Sequence, residues 1–245
     1  MSFSRGALLL SCLAVAFAIA STSVLAEEPK ADKDGYIPLF NAKDLTGWKI
    51  PDPPSGSFKK VIEKKNDDGK VIAFIGVTKD DKEVPLWRVE NGTIIGGGPA
   101  SHIFSEVIAD NFHYRVEAKI NDKGNSGQYF RTEFGPGFPK GYETQINATH
   151  GDRVKTGSLY PAQGLDKYRD KIVVLDTAPH KPDEFFTQEV IADGPKITII
   201  VNGKTTLDGF EDPEYRFKKG HFALQGHDPG SIMTFKKVEY KPITK

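Results

Sequence analysis

The stretch TQEVIADGPKITIIVNGKTTLD, residues 187–208, decides the fold class. Three β-branched runs are separated by Asp193-Gly194 and Asn202-Gly203. Dipeptides of this type favour the positive φ angles of two-residue hairpin turns, so the stretch predicts three consecutive antiparallel strands. The same grammar extends in both directions. Trp87 to Ile95 contains Asn91-Gly92. FKKVIEKKNDDGKVIAFIGV, from Phe58 to Val77, places a DDG turn between two β-rich runs and predicts a peripheral hairpin. His113 to Ile120 alternates Tyr114, Val116, Ala118 and Ile120 with Arg115, Glu117 and Lys119, the period of a strand with one buried face. His221–His227 and Ile232–Tyr240 supply two more strands. No stretch sustains a helical period. Many short strands punctuated by 24 Gly and 16 Pro predict an all-β fold, a two-sheet antiparallel jelly-roll sandwich. Residues 51–57 (PDPPSGS) and 150–186 carry few strand signals and are expected to be loops, the second a long excursion over one face.

The N-terminus speaks to compartment. Arg5, the apolar run of residues 7–20 and Val24-Leu25-Ala26 have the order of a secretory signal cleaved after Ala26. A lipidation site at Cys12 fits less well, because the apolar run continues past the cysteine. Residues 27–35 (EEPKADKDG) read as a flexible leader, and residues 36–242 as one β-sandwich domain. The expected location is periplasmic or extracellular. The chain's one cysteine lies inside the signal, so the mature chain would have no disulfide and no thiol nucleophile. The 33 basic and 33 acidic side chains balance, and loss of Arg5 leaves a net charge of −1. That balance argues against a nucleic-acid or anionic-membrane partner, and no membrane association is expected after signal cleavage.

Three segments carry polar groups at alternating positions. In GYETQIN (141–147), Glu143, Gln145 and Asn147 share a face opposite Tyr142, Thr144 and Ile146. In NSGQYFRTE (125–133), Asn125, Gly127, Tyr129, Arg131 and Glu133 share one. In HFALQGH (221–227), His221, Ala223, Gln225 and His227 share one, against Phe222 and Leu224. Solvated sheet faces are rich in Lys, Glu, Thr and Ser. These three segments favour amides, Arg, His and Tyr, which pair with adjacent hydroxyls and stack on pyranose rings. A polar binding face and an ordinary outer face both fit the alternation.

The order of motifs resembles the 3-keto-disaccharide hydrolase family, related to concanavalin-A-like lectins and glucanases. The matching pieces are PLFNAKDLTGW (38–48), WRVENGTIIGGG (87–98), NSGQYFR (125–131), GYETQIN (141–147), TGSLY (156–160), VNGK (201–204) and GHFALQGHDPGSIMTFKKVEY (220–240). Two places depart from the family pattern. Phe185-Phe186 stands where a Trp-Asn pair is common, and Phe235-Lys236 where Phe-Arg is common. The resemblance implies a jelly roll with a ligand on its concave face, and cleavage of glycosides whose sugar carries a ketone at C3. Such a ketone acidifies the C2 proton. A base then removes it, an enolate forms, and the C1 substituent leaves; water addition gives net hydrolysis. Glu143 is the candidate base and His227 the candidate proton shuttle or metal ligand. Arg131 could polarise the keto oxygen or simply pair with Glu133 or Glu143. Gln145, Gln225, Asn147, Tyr142, Tyr160 and Asn125 are candidate substrate-binding residues, and the segment from His102 to Glu106 could border the site. A divalent metal is possible through Glu143, Asn147, His150, Asp152 and His227, though no tight ligand spacing exists. Neither NAD nor haem is expected. The expected partner is an oxidised mono- or disaccharide. The competing reading is a non-catalytic carbohydrate-binding domain on the same fold.

Overall fold

The computed structural model describes residues 30–244. The expected signal of residues 1–26 and the first part of the expected leader lie outside the described residues. Within 30–35 the leader is not simply extended: Asp32 accepts the backbone N–H groups of Asp34 and Tyr36 and closes a turn onto Tyr36.

Fifteen strands follow in order: β1 (Ile37–Pro38), β2 (Trp48–Lys49), β3 (Phe58–Lys65), β4 (Val71–Thr78), β5 (Glu83–Glu90), β6 (Thr93–Gly96), β7 (Ser101–Ala109), β8 (Phe112–Ile120), β9 (Ser126–Thr132), β10 (Tyr142–Ile146), β11 (Phe186–Asp193), β12 (Lys196–Val201), β13 (Lys204–Glu211), β14 (Gly220–Gly226) and β15 (Met233–Pro242). They form two antiparallel sheets. The ten-stranded sheet runs β13-β12-β11-β8-β15-β6-β5-β4-β3, with β1 paired to β15; the five-stranded sheet runs β10-β9-β14-β7-β2. The predicted hairpin β3–β4 ends the large sheet, as a peripheral unit would.

Turn chemistry explains the hairpins. At β5–β6, Asn91 and Gly92 have φ of 51° and 73°; at β12–β13, Asn202 and Gly203 have 50° and 76°. Both residues of a type I′ turn need positive φ, which Asn and Gly tolerate best. The β11–β12 turn sits one residue later than its Asp-Gly signal suggests. Asp193 pairs with Lys196, which leaves Gly194 and Pro195 as the loop.

The core lies between the sheets. From the large sheet come Phe112, Tyr114, Val116, Ala118 and Ile120, and from the small sheet Phe130, Tyr142, Phe222 and Leu224, all buried. Phe112 meets Phe222 edge-on with ring centroids 4.7 Å apart. Each such ring contributes about 1.5–3 kcal/mol by leaving water.

The two sheets differ on their outer faces. Strand β8 alternates buried and half-exposed residues, so the large sheet is solvated outside. Strands β9, β10 and β14 are buried at every position. Something therefore covers the small sheet's outer face. One cover is the β9–β10 connection: Phe134 packs edge-on against Phe104 and Phe138 tilts over His102. Gly137 N–H donates to the Pro54 carbonyl, tying this connection to the 51–57 loop. The other cover is the 150–186 excursion, which has only a short 3₁₀ turn and one helical turn (Arg169–Ile172). Its residues 158–160 run along the free edge of β10, where Gln145 N–H donates to Ser158 and Tyr160 N–H donates to Glu143.

Candidate active site

The three polar segments are neighbours: β10, β9 and β14 lie side by side. Register then sets the residues of their outer face. Glu143 lies opposite Tyr129 and Gln145 opposite Gly127. Tyr129 in turn lies opposite Ala223 on β14, and Gln225 opposite His102 on β7.

Glu143 is buried at the centre of this face. The Tyr129 hydroxyl donates to Glu143 Oε2 at 2.6 Å, and Gln225 Nε2 donates to the Tyr129 oxygen at 3.0 Å. Gly127 makes room for the carboxylate, since a Cβ there would stand 2.3 Å from Glu143 Oε1. Burial pushes the Glu143 pKa up to about 8. The Tyr129 hydrogen bond opposes the shift, and the Asp152 charge adds to it. Tyr129 itself is raised well above the ordinary tyrosine range by burial and by the neighbouring carboxylate. It is therefore a fixed proton donor at neutral pH.

Two openings reach Glu143. The first is lined by Asn125, Gln145, Gln225 and His227, the second by Tyr129, Pro139, Gly141, Ala162 and Gln163. Phe138 and Tyr160 stand between them and line both. His227 Nδ1 donates to Asp228 Oδ2 at 2.8 Å, because a carboxylate accepts only. Its Nε2 then accepts from Asn125 Nδ2 at 3.3 Å. Asp228 also accepts from Ser231 at 2.6 Å; burial alone would raise its pKa, but these hydrogen bonds hold it below the usual carboxylate value. Tyr160 donates to Asp152 at 2.9 Å, and its pKa is pushed up to about 12 by burial and that bond. Asn125 Oδ1, Gln225 Oε1 and His102 Nδ1 are buried without a protein partner. Buried polar atoms left open at one face are the signature of a polar ligand's place. His102 is kept neutral, its pKa lowered to about 3 by burial and then by His227.

Six of the expected site residues thus converge: Glu143, Gln145, Asn125, Gln225, Tyr160 and His227. Three do not, and each needs correction. Arg131 points away from the site. Phe130 and Arg131 together oppose the single residue Phe222, so β9 carries a bulge, and Arg131 sits at φ 53°. A bulge breaks the period-2 alternation. The Arg131 guanidinium instead donates to the backbone carbonyls of Asp110, Gly194 and Phe217, where it is buried. Tyr142 has the parity of the inner face. Its ring stacks on Phe130 and its hydroxyl donates to Asp212 at 2.6 Å. Asn147 has the right parity, but its amide nitrogen is committed locally to the carbonyls of Asp152 and Val154, its Oδ1 is buried without a partner, and it lines neither opening. The five possible metal ligands are not gathered either. The Asp152 carboxylate is taken by Tyr160 and the Val154 N–H, while His150 lies edge-on to His227. Among the described residues no three His, Cys, Asp or Glu side chains are grouped to hold a metal ion.

Three contributors went without a role in the sequence. Tyr129 was visible on the polar parity of its strand, and only its pairing with Glu143 gives it a function. His102 lies in the segment expected to border the site. Phe138 gave no signal, because no pattern tells where a Gly- and Pro-rich connection folds.

The sequence profile of a family described as 3-keto-alpha-glucoside-1,2-lyase-like domain matches residues 35–244. No curated protein matches the chain. Among solved structures, a proposed glycosyl hydrolase from Parabacteroides distasonis is similar at 21% identity, with 86% of this chain and 95% of that one covered and a TM-score of 0.58. A second proposed glycosyl hydrolase from the same organism is similar at 19% identity, covering 85% and 99%, with a TM-score of 0.53. The carbohydrate recognition domain of Emp46p in its potassium-bound form is similar at 10% identity, covering 88% and 100%, with a TM-score of 0.51. At these identities the structures speak for the two-sheet jelly-roll fold alone.

Proposed function

Since the chain belongs to the family of 3-keto-alpha-glucoside-1,2-lyase-like domains, we propose that it cleaves glycosides whose sugar is a ketone at C3. Membership of that family makes this a glycosyl hydrolase-like or carbohydrate-binding domain. The observation that carries the finer reading is Glu143, a buried carboxylate at the meeting of two openings, with a pKa near 8. A carboxylate this basic is matched to removing a carbon-bound proton acidified by a ketone.

In this reading Glu143 takes the C2 proton. The C2–H electrons become the C1–C2 double bond conjugated with the ketone, and the C1–O bond breaks. With Arg131 committed elsewhere, charge developing on the C3 oxygen falls to the side-chain amide donor of the polar opening, Asn125. Protonated Glu143 is acidic enough to return its proton to the leaving oxygen. Water adding across the new double bond completes a net hydrolysis. The Asp228 carboxylate orients the His227 ring, and the Gln225–Tyr129 chain holds the Glu143 carboxylate in one rotamer.

The test is a matched pair of chromogenic glucosides, one oxidised at C3 and one not, offered to the purified protein and to Glu143→Gln. Release from the keto sugar alone, falling by at least about a thousandfold in the variant with substrate binding retained, is the expected result. A second reading, sugar binding without turnover, is favoured by the unpartnered Asn125 and Gln225 oxygens. It predicts no release from either glucoside, and calorimetric binding that Glu143→Gln changes little.

A further inference from the structure

The two openings beside Glu143 have different chemistry, and this difference sorts the two halves of a glycoside. The first offers Asn125, Gln145, Gln225 and His227, with the Asn125 and Gln225 oxygens buried and unpartnered. A sugar ring brings hydroxyls that satisfy such atoms. The second offers the Tyr129 ring, Pro139, Gly141 and Ala162, and Gln163 as its single amide. The Tyr129 hydroxyl is not free for a ligand there, being held between Glu143 and Gln225. A second sugar in this opening would leave several hydroxyls unpaired, at about 1–3 kcal/mol each. An apolar ring would lose nothing. Phe138 stands over the same opening 65% exposed, an aromatic side chain with most of its surface still to bury.

We infer that the opening formed by Tyr129, Phe138, Pro139 and Ala162 is the aglycone subsite, and that it selects aglycones with an apolar or aromatic ring over a second sugar. The inference rests on the 3-keto-glycoside reading above and deepens it. Phe138 is its specificity-determining residue: it touches the departing group and leaves the reacting atoms alone. Because Phe138 is exposed and lies on a loop, its truncation leaves the core intact.

The experiment compares two 3-keto-glucosides, one of cyclohexylmethanol and one of a second glucose, and reads for each the ratio of wild type to Phe138→Ala, in which the leaving-group ability of the alcohol cancels. The wild type is expected to favour the cyclohexylmethyl compound in kcat/KM. Because Phe138 also borders the sugar opening, Phe138→Ala is expected to lower kcat/KM for both compounds, through KM, but by about tenfold more for the cyclohexylmethyl compound than for the disaccharide. Equal losses for both substrates, or a larger loss for the disaccharide, overturn the subsite. If neither keto sugar is cleaved, the catalytic reading falls separately. Calorimetry with the unoxidised cyclohexylmethyl glucoside and cellobiose then decides: tighter binding of the former that Phe138→Ala abolishes supports the subsite, and equal binding overturns it.

Discussion

At the scale of the residue, a single carboxylate is made basic by what surrounds it. Gly127 is as much a part of that device as Tyr129. Its missing Cβ is the space the Glu143 carboxylate occupies, so Gly127→Ala forces the carboxylate off its Tyr129 hydrogen bond. We expect kcat to fall by about a hundredfold or more while the protein stays folded, measured as kcat beside a circular-dichroism melt. Asp152 tunes the same group from further away, its charge helping to hold the Glu143 pKa up. The proposed base would work only when ionised, so kcat/KM is expected to climb as pH passes about 8. Asp152→Asn removes one repulsive charge and moves that climb to lower pH. A pH profile that stays in place in the variant would falsify the electrostatic role. Arg131 marks the limit of what residue types reveal. An arginine on a polar strand face reads as a ligand for oxygen, yet here it pins three loop carbonyls. Arg131→Leu is therefore expected to lower stability by about 3 kcal/mol in urea titrations and to leave sugar affinity unchanged.

At the scale of the element, the sequence was legible wherever period and turn chemistry agree. The Asn-Gly hairpins, the alternation of β8 and the inward Phe222 and Leu224 all follow from local rules, and all stand in the structure. Glu143, Gln145, Asn125 and Gln225 were legible for the same reason, since parity assigns a side chain to a face. Parity fails at a bulge. One additional residue in β9 turns Arg131 out of register with Tyr129, and nothing in NSGQYFRTE announces it. The partner strand carries a trace of the event. Gly220 lies so close to the bulge that a Cβ would stand 2.4 Å from the Arg131 carbonyl carbon. Gly220→Ala is expected to destabilise the fold by about 2–3 kcal/mol by forcing β14 away from β9, read as a drop in Tm. Parity is also silent on loops. Phe138 and the covering role of residues 150–186 depend on where irregular chain comes to rest, a matter of tertiary contact and not of local preference.

At the scale of the whole molecule, the site is placed on the one sheet of the sandwich that is covered on both faces. The large sheet supplies a solvated back and an aromatic core, and the small sheet supplies a face sealed by two loops. Sealing has a thermodynamic consequence. Folded Glu143 keeps its proton up to about pH 8, whereas an unfolded glutamate loses it near 4.5. Between those values the folded state binds more protons, so stability contributed by this group falls as pH rises. Glu143→Gln has no such proton to lose. Its melting temperature is expected to equal the wild type's near pH 4 and to exceed it increasingly up to pH 9, a gap on the order of a few kcal/mol that differential scanning calorimetry at several pH values would resolve.

The cover over β10 reaches further still. This strand ends the small sheet, and its outer edge is occupied by residues 158–160 of the same chain. An uncovered edge of this kind is a template for pairing with another molecule. The excursion that encloses Glu143 is therefore also expected to guard the molecule against self-association. A single protease cut within residues 161–185 would act on both at once, unfastening Tyr160 from Glu143 and baring a strand edge. Inactivation and oligomer formation in a nicked preparation are thus expected to rise together, as two faces of one local event.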